Sequence, residues 1–187
     1  SSGDKKSNPV VCGSCHREIA TSYKTDAHAV SQNMACVDCH QKIHVIAKSD
    51  KPQKISVQEK CIRCHAPEDY ALMGHGKNVA KGNLDSATCV DCHKLHGVVP
   101  MKGASEKEAA LLRETYTARC KACHAAPEIA KRNNFSTAIS DTYDETYHGK
   151  VLQVGYPQRI AGCADCHTGH NTLRSSAPLS ALHPAHL

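Results

Sequence analysis

The sequence of 187 residues has no tryptophan, one phenylalanine and six tyrosines. Aromatic side chains normally dominate core burial, so an ordinary aromatic core is excluded and something else must supply bulky apolar surface. No stretch approaches the ~18 apolar residues of a membrane-spanning helix. No period-2 alternation is long enough to propose a sheet. The opening SSGDKKSNPV lacks the apolar run of a signal peptide, so residues 1–11 read as a polar leader, the mature start of the chain if it is exported.

What the chain holds in excess is twelve cysteines and fourteen histidines. Cysteines in such number fit a disulfide framework, zinc sites or covalent haem attachment. Here every cysteine falls in a Cys-x-x-Cys pair, and every pair is followed at once by histidine. The six copies are Cys12, Cys15, His16; Cys36, Cys39, His40; Cys61, Cys64, His65; Cys89, Cys92, His93; Cys120, Cys123, His124; and Cys163, Cys166, His167. A disulfide scaffold explains the even count and none of the histidines. The interval from Cys15 to Cys36 suits a zinc spacing, but zinc does not require histidine directly after each pair. At this histidine content, six such placements by chance have a probability of about one in several million. C-x-x-C-H is the attachment signature of c-type haem: two thiols add across the vinyl groups as thioethers, and the adjacent imidazole reaches the iron.

On these six motifs, residues 12–170 resemble the multihaem cytochromes c of bacteria and archaea. The resemblance implies export before haem attachment, and closely packed haems wired for electron transfer. Six c-type haems, with their iron, are about one per 31 residues. Porphyrins at that density would themselves be the hydrophobic core, wrapped by a thin layer of chain.

Eight histidines lie outside the motifs, and six of them form a repeat. Each repeat reads C-x-x-C-H, a middle histidine, C-x-x-C-H and a closing histidine. The middle histidines are His28, His75 and His148; the closing ones are His44, His96 and His170. The expected organisation is a leader over 1–11, dihaem units over 12–44, 61–96 and 105–170, and a tail over 171–187, the units forming one continuous domain. The repeat supplies two spare imidazoles for the two open iron faces of each unit. A closing histidine follows its own motif by three or four residues, too few to pass round the macrocycle edge at ~3.3–3.6 Å per residue. It is therefore assigned to the other haem of its unit: His44, His96 and His170 to haems one, three and five. His28, His75 and His148, farther upstream, go to haems two, four and six. The alternative is a surface histidine with water or methionine as sixth ligand; Met34, Met73 and Met101 are the only methionines, and Met73 is the near competitor.

Two helices are legible. Ser105 followed by Glu108 is a capping box opening a helix into Cys120 and Cys123, and Ser56 with Glu59 suggests a shorter one into Cys61. Elsewhere glycine and proline punctuate the chain. The fold class expected is mostly coil with short α-helices and almost no β-sheet, organised by stacked haems.

An iron with two imidazoles has no open position, which favours electron transfer without catalysis. The formal charge of +5 is no sign of nucleic acid, because six ferric haems with ionised propionates bring it to about −1. The reading is an exported electron carrier, periplasmic or at the cell surface, working with redox protein donors and acceptors and reaching a membrane only through partners. The resemblance extends to extracellular cytochrome filaments, which implies homo-oligomers in which His183 or His186 ligates a haem of the next subunit. An electron-entry subunit of a membrane quinone-oxidising complex and a multihaem reductase with one open haem are the alternatives. The ending SSAPLSALHPAHL resembles the lead-in to a further motif.

Overall fold

The computed structural model describes residues 12–40, 52–65, 68–72, 74–99, 103–155 and 160–186. The polar leader, His44, Met73 and Met101 lie outside the described residues. Among the described residues there is no strand; short α-helices and turns make up the fold, as the absence of alternation led one to expect.

In chain order the helices are α1 (Arg17–Tyr23), α2 (Ala27–Gln32), α3 (Cys36–Cys39), α4 (Gln53–Cys61), α5 (Glu68–Leu72), α6 (Gly74–Ala80), α7 (Cys89–His93), α8 (Glu106–His124), α9 (Pro127–Asn133), α10 (Ala138–Glu145), α11 (Tyr147–Gln153) and α12 (Cys163–His167). Helix is thus more extensive than the two legible segments. Most of these helices are shorter than the ~12–15 residues that hold together in isolation, so tertiary contacts must fix them.

The longest, α8, starts where the capping box puts it. The Ser105 hydroxyl accepts from the Glu108 N–H at 3.3 Å, and the Glu108 carboxylate accepts from the Ser105 N–H at 2.8 Å. Those Ser105 bonds hold the Glu108 carboxyl below the usual carboxylate range. Ala110, Leu112 and Thr117 form the buried stripe. By contrast, α4 begins at Gln53, earlier than Ser56 suggested. Pro52 stands at its N-cap, and its carbonyl accepts from the Ile55 and Ser56 N–H groups at 3.0 and 3.1 Å. Proline lacks an N–H, which a helix start leaves unpaired in any case, so it outcompetes a serine one turn later.

The chain divides into two compact units, Ser1–His65 with His93–Lys102, and Ala66–Cys92 with Gly103–Leu187. In the first unit, the Ala27 N–H donates to the Val98 carbonyl at 2.7 Å, fixing the start of α2. In the second, Arg132 grips the Asp85 carboxylate through Nε and Nη2, both at 2.8 Å, and Asn134 ends α9 in the left-handed conformation. These units are divisions of packing and do not follow the ligand repeat: residues 61–65 and 93–96 of the middle dihaem unit go with the first, residues 66–92 with the second.

Buried apolar residues among those described are Ala35, Val79, Ala110, Leu112, Ala130 and Ile160, three of them only alanine. Ile62 inside the third motif and Leu95 beside His96 stay 46% and 57% exposed. Such a core is too small to hold the fold by itself, which fits a large apolar group serving as its interior.

Candidate haem-binding sites

Each motif is a single helical turn. The His16, His40 and His65 N–H groups donate to the carbonyls of Cys12, Cys36 and Cys61 at 2.9, 2.9 and 3.0 Å. That i to i+4 closure sets both thiols and the imidazole on one face, the arrangement two thioethers and one iron bond to the same macrocycle require. All twelve cysteines are free of disulfides. Among the described residues no three His, Cys, Asp or Glu side chains gather around a metal-sized point. The donors come in twos, which is the wrong geometry for tetrahedral zinc.

The second motif of each repeat carries a support that spacing alone did not reveal. Asp38, Asp91 and Asp165 each reach back one turn, accepting from the N–H of Ala35 at 2.7 Å, Thr88 at 2.6 Å and Gly162 at 2.7 Å. An aspartate at the third helical position satisfies an otherwise orphaned donor. Its sequence signal was the D of CVDCH, CVDCH and CADCH, absent from CGSCH, CIRCH and CKACH. A tyrosine adds a second support. The hydroxyls of Tyr23, Tyr70 and Tyr143 donate to the carbonyls of Met34 (2.8 Å), Ala87 (2.7 Å) and Ala161 (3.0 Å), in each case two residues before the motif. Burial first, then Asp26, pushes the Tyr23 phenol up to about 12; burial likewise raises Tyr70 and Tyr143. All three therefore remain protonated donors at neutral pH.

Each tyrosine also precedes a middle histidine by five residues, and each middle histidine is the second residue of a helix: His28 in α2, His75 in α6, His148 in α11. For His28 the carboxylate of Asp26, 1% exposed, is the anchor. Its Oδ1 accepts from both the backbone N–H and the ring Nδ1 of His28 at 2.9 Å, while Oδ2 accepts from the Val98 N–H at 2.8 Å. Burial alone would raise this carboxyl, but the Val98 and His28 hydrogen bonds outweigh it and hold it below the usual range. Holding Nδ1–H leaves Nε2 of His28 as the metal-binding nitrogen.

Two of the closing histidines, His96 and His170, follow a backbone reversal. Lys94 and Thr168, each directly after a motif histidine, have φ of +66° and +61°. A non-glycine residue in the left-handed region costs of order 1–2 kcal/mol and redirects the chain sharply. The segment bearing His96 or His170 is thereby turned away from its own motif.

The structure brings three histidine pairs together. Ring centres are 5.8 Å apart for His28 and His65, 6.0 Å for His40 and His96, and 6.1 Å for His75 and His124. Two imidazoles on opposite faces of one iron have ring centres roughly 6 Å apart, each metal–nitrogen bond being about 2 Å. The residues present thus fit the group the motifs imply. These pairs differ from the assignment by spacing, which gave His28 to haem two (His40), His96 to haem three (His65) and His75 to haem four (His93). Burial lowers the pKa of His40 and of His124, favouring the neutral imidazole that binds metal. The phenylalanine, Phe135, packs on His124 at 5.1 Å. Of the other expected ligands, His16, His148, His167 and His170 lie exposed, His93 is half-buried at the end of α7, and His44 falls outside the described residues. In the tail, the rings of His183 and His186 lie 5.7 Å apart.

Consecutive motifs also touch. The thiols of Cys12 and Cys36 lie together, as do those of Cys120 and Cys163, so in the first and third repeats first cysteine meets first cysteine. Between repeats, Lys60 Nζ donates to the Cys39 carbonyl at 3.1 Å, and Arg119 Nη1 makes the equivalent bond to the Cys92 carbonyl. Both bases immediately precede a repeat's first cysteine. Haems attached at these cysteines would be held as neighbours, which is what electron exchange between them requires. No helix among the described residues is long and apolar enough to cross a membrane. Comparison with curated proteins and with solved structures gives no match. Residues 21–94 match the family described as cytochrome c7 and related cytochrome c, and over that stretch the chain is similar to multihaem c-type cytochromes, which bind haem covalently and carry electrons.

Proposed function

We propose that this chain carries six c-type haems, each iron closed by two imidazoles, and passes electrons between redox protein partners outside the cytoplasm. The observation that carries the reading is the set of imidazole pairs at 5.8–6.1 Å, which with haem bound would leave no substrate position on the irons of His40, His65 and His124. When bound, haem iron supplies one-electron chemistry. The chain's own residues attach, orient and insulate: cysteines fix the macrocycles, Asp26 fixes the His28 tautomer, and Lys60 and Arg119 hold successive motifs together. His148 and His170 are expected among the ligands of the irons these pairs leave over, as is His44. Both alternatives, the entry subunit of a quinone-oxidising complex and the reductase, lack a comparable observation.

Assembly of identical chains into an oligomer or filament extends the proposal, and His186 supports it. Its Nδ1 lies 2.9 Å from the Ser180 carbonyl, so that nitrogen carries the proton and Nε2 keeps a free lone pair. His183 accepts from the Ala185 N–H through Nδ1 at 3.2 Å and so presents Nε2–H. Of the two tail histidines, His186 is the one prepared to bind a metal on a neighbouring chain. One native preparation tests both statements. It is expected to run larger than a single chain, to take up about six electrons per chain, and to show no Soret change when carbon monoxide meets the reduced protein. Monomers only would remove the assembly; stoichiometric carbon monoxide binding would favour a reductase.

A further inference from the structure

Successive repeats are linked in the same way at two places. At the first, α2, which carries His28 from repeat one, docks on Val98, two residues past His96, the closing histidine of repeat two. At the second, α6, which carries His75 from repeat two, meets Thr172, two residues past His170, the closing histidine of repeat three. Thr172 Oγ1 lies 3.5 Å from His75 Nδ1. Gly74, at φ +43°, brings its backbone so close that a Cβ there would lie 2.3 Å from the Thr172 carbonyl oxygen. The basic clamp recurs as well: Lys60 on Cys39 at the first place, Arg119 on Cys92 at the second.

We infer that distal ligation is exchanged between consecutive repeats: His28 of repeat one caps the iron of His65, His75 of repeat two caps the iron of His124, and His96 of repeat two caps the iron of His40. The inference rests on the six-haem reading and deepens it. At the first boundary the exchange is reciprocal, and one carboxylate, Asp26, ties both exchanged ligands down by holding His28 and the backbone just beyond His96. The second and third haems are then completed by each other's repeat.

Epistasis in the full chain tests it. His96→Ala is expected to open about one iron in six to carbon monoxide after reduction. In a chain lacking the second haem through Cys36→Ala and Cys39→Ala, the same change is expected to add nothing. In a chain lacking the third through Cys61→Ala and Cys64→Ala, it is expected still to open one iron. The reverse pattern overturns exchange in favour of capping within a repeat. If the haem-deleted chains fail to fold, paramagnetic resonance of the otherwise intact ferric protein decides. The His40 and His96 ring planes lie 25° apart, those of His28 and His65 75° apart. Near-parallel axial rings split the two iron dπ orbitals that overlap the ring π systems, giving a rhombic signal; near-perpendicular rings leave them almost degenerate, giving a highly axial one. His96→Ala should remove one haem's worth of rhombic signal, and His28→Ala one of axial signal; the opposite losses overturn the inference. Intact mass, read on each variant, tells a lost ligand from a lost haem: absence of haem in the parent protein defeats the six-haem reading itself.

Discussion

Replacing Asp26 with alanine is expected to open two irons at once, the largest single-residue effect in the protein outside the motifs. The carboxylate is almost fully buried and accepts three hydrogen bonds, two from His28 and one from the Val98 N–H. Alanine leaves those donors without an acceptor, at about 1–3 kcal/mol for each buried group left unpaired. The local consequence exceeds the energetic one. The His28 ring loses the partner that fixes its tautomer, and the strand of backbone following His96 loses its tether. The reduced variant is therefore expected to bind about two carbon monoxide molecules per chain where the parent binds none. Asp26→Asn should not rescue it. An amide offers one acceptor oxygen, and its NH2 group would face a donor that already points at that site. A variant with all irons still closed would show that Asp26 supports the fold without positioning ligands.

Gly76→Ala is expected to displace α6 and uncover the iron held by His124. A Cβ at Gly76 would lie 1.9 Å from the Tyr70 carbonyl oxygen and 2.7 Å from its carbon, a collision with backbone that no side-chain rotation relieves. Overpacking of this kind costs about 1–3 kcal/mol or more. Because Gly76 directly follows His75, the shift falls on the ligand itself. Gly149 stands in the same relation to His148, with a Cβ 2.2 Å from the Tyr143 carbonyl oxygen. In the first repeat the equivalent residue is Ala29, which already carries a methyl group, and residues 24–26 separate α1 from α2 there. One carbon monoxide per chain in Gly76→Ala, with Ala29→Gly remaining closed, is the expected pair of results. Closed irons in Gly76→Ala would mean that α6 can slide without moving His75.

How much of this was legible in the sequence follows from the range over which each device acts. The six motifs are legible because thioether chemistry confines two thiols and an imidazole to one helical turn. The start of α8 is legible because Ser105 and Glu108 bond each other across that same distance. The start of α4 is not, since Pro52 and Ser56 offer competing caps and only packing chooses. Tether length argues against His96 capping the iron of its own motif. It could not show which motif histidine His96 lies beside, because that depends on where Lys94 turns the chain and on the bond between Asp26 and Val98, 72 residues apart. Yet the supports of the site left a readable trace. Tyrosine five before each middle histidine, aspartate third in each second motif, and a base before Cys61 and Cys120 all keep step with the ligands.

The most direct measurement is the intact mass of the purified protein together with its absorption spectrum. Six covalently attached haems, each adding roughly 616 Da to the polypeptide, with low-spin Soret and alpha bands on reduction, are the expected result. A mass equal to the bare chain, or a spectrum without those bands, would contradict the assignment of the cysteines to haem and with it every ligand pairing above.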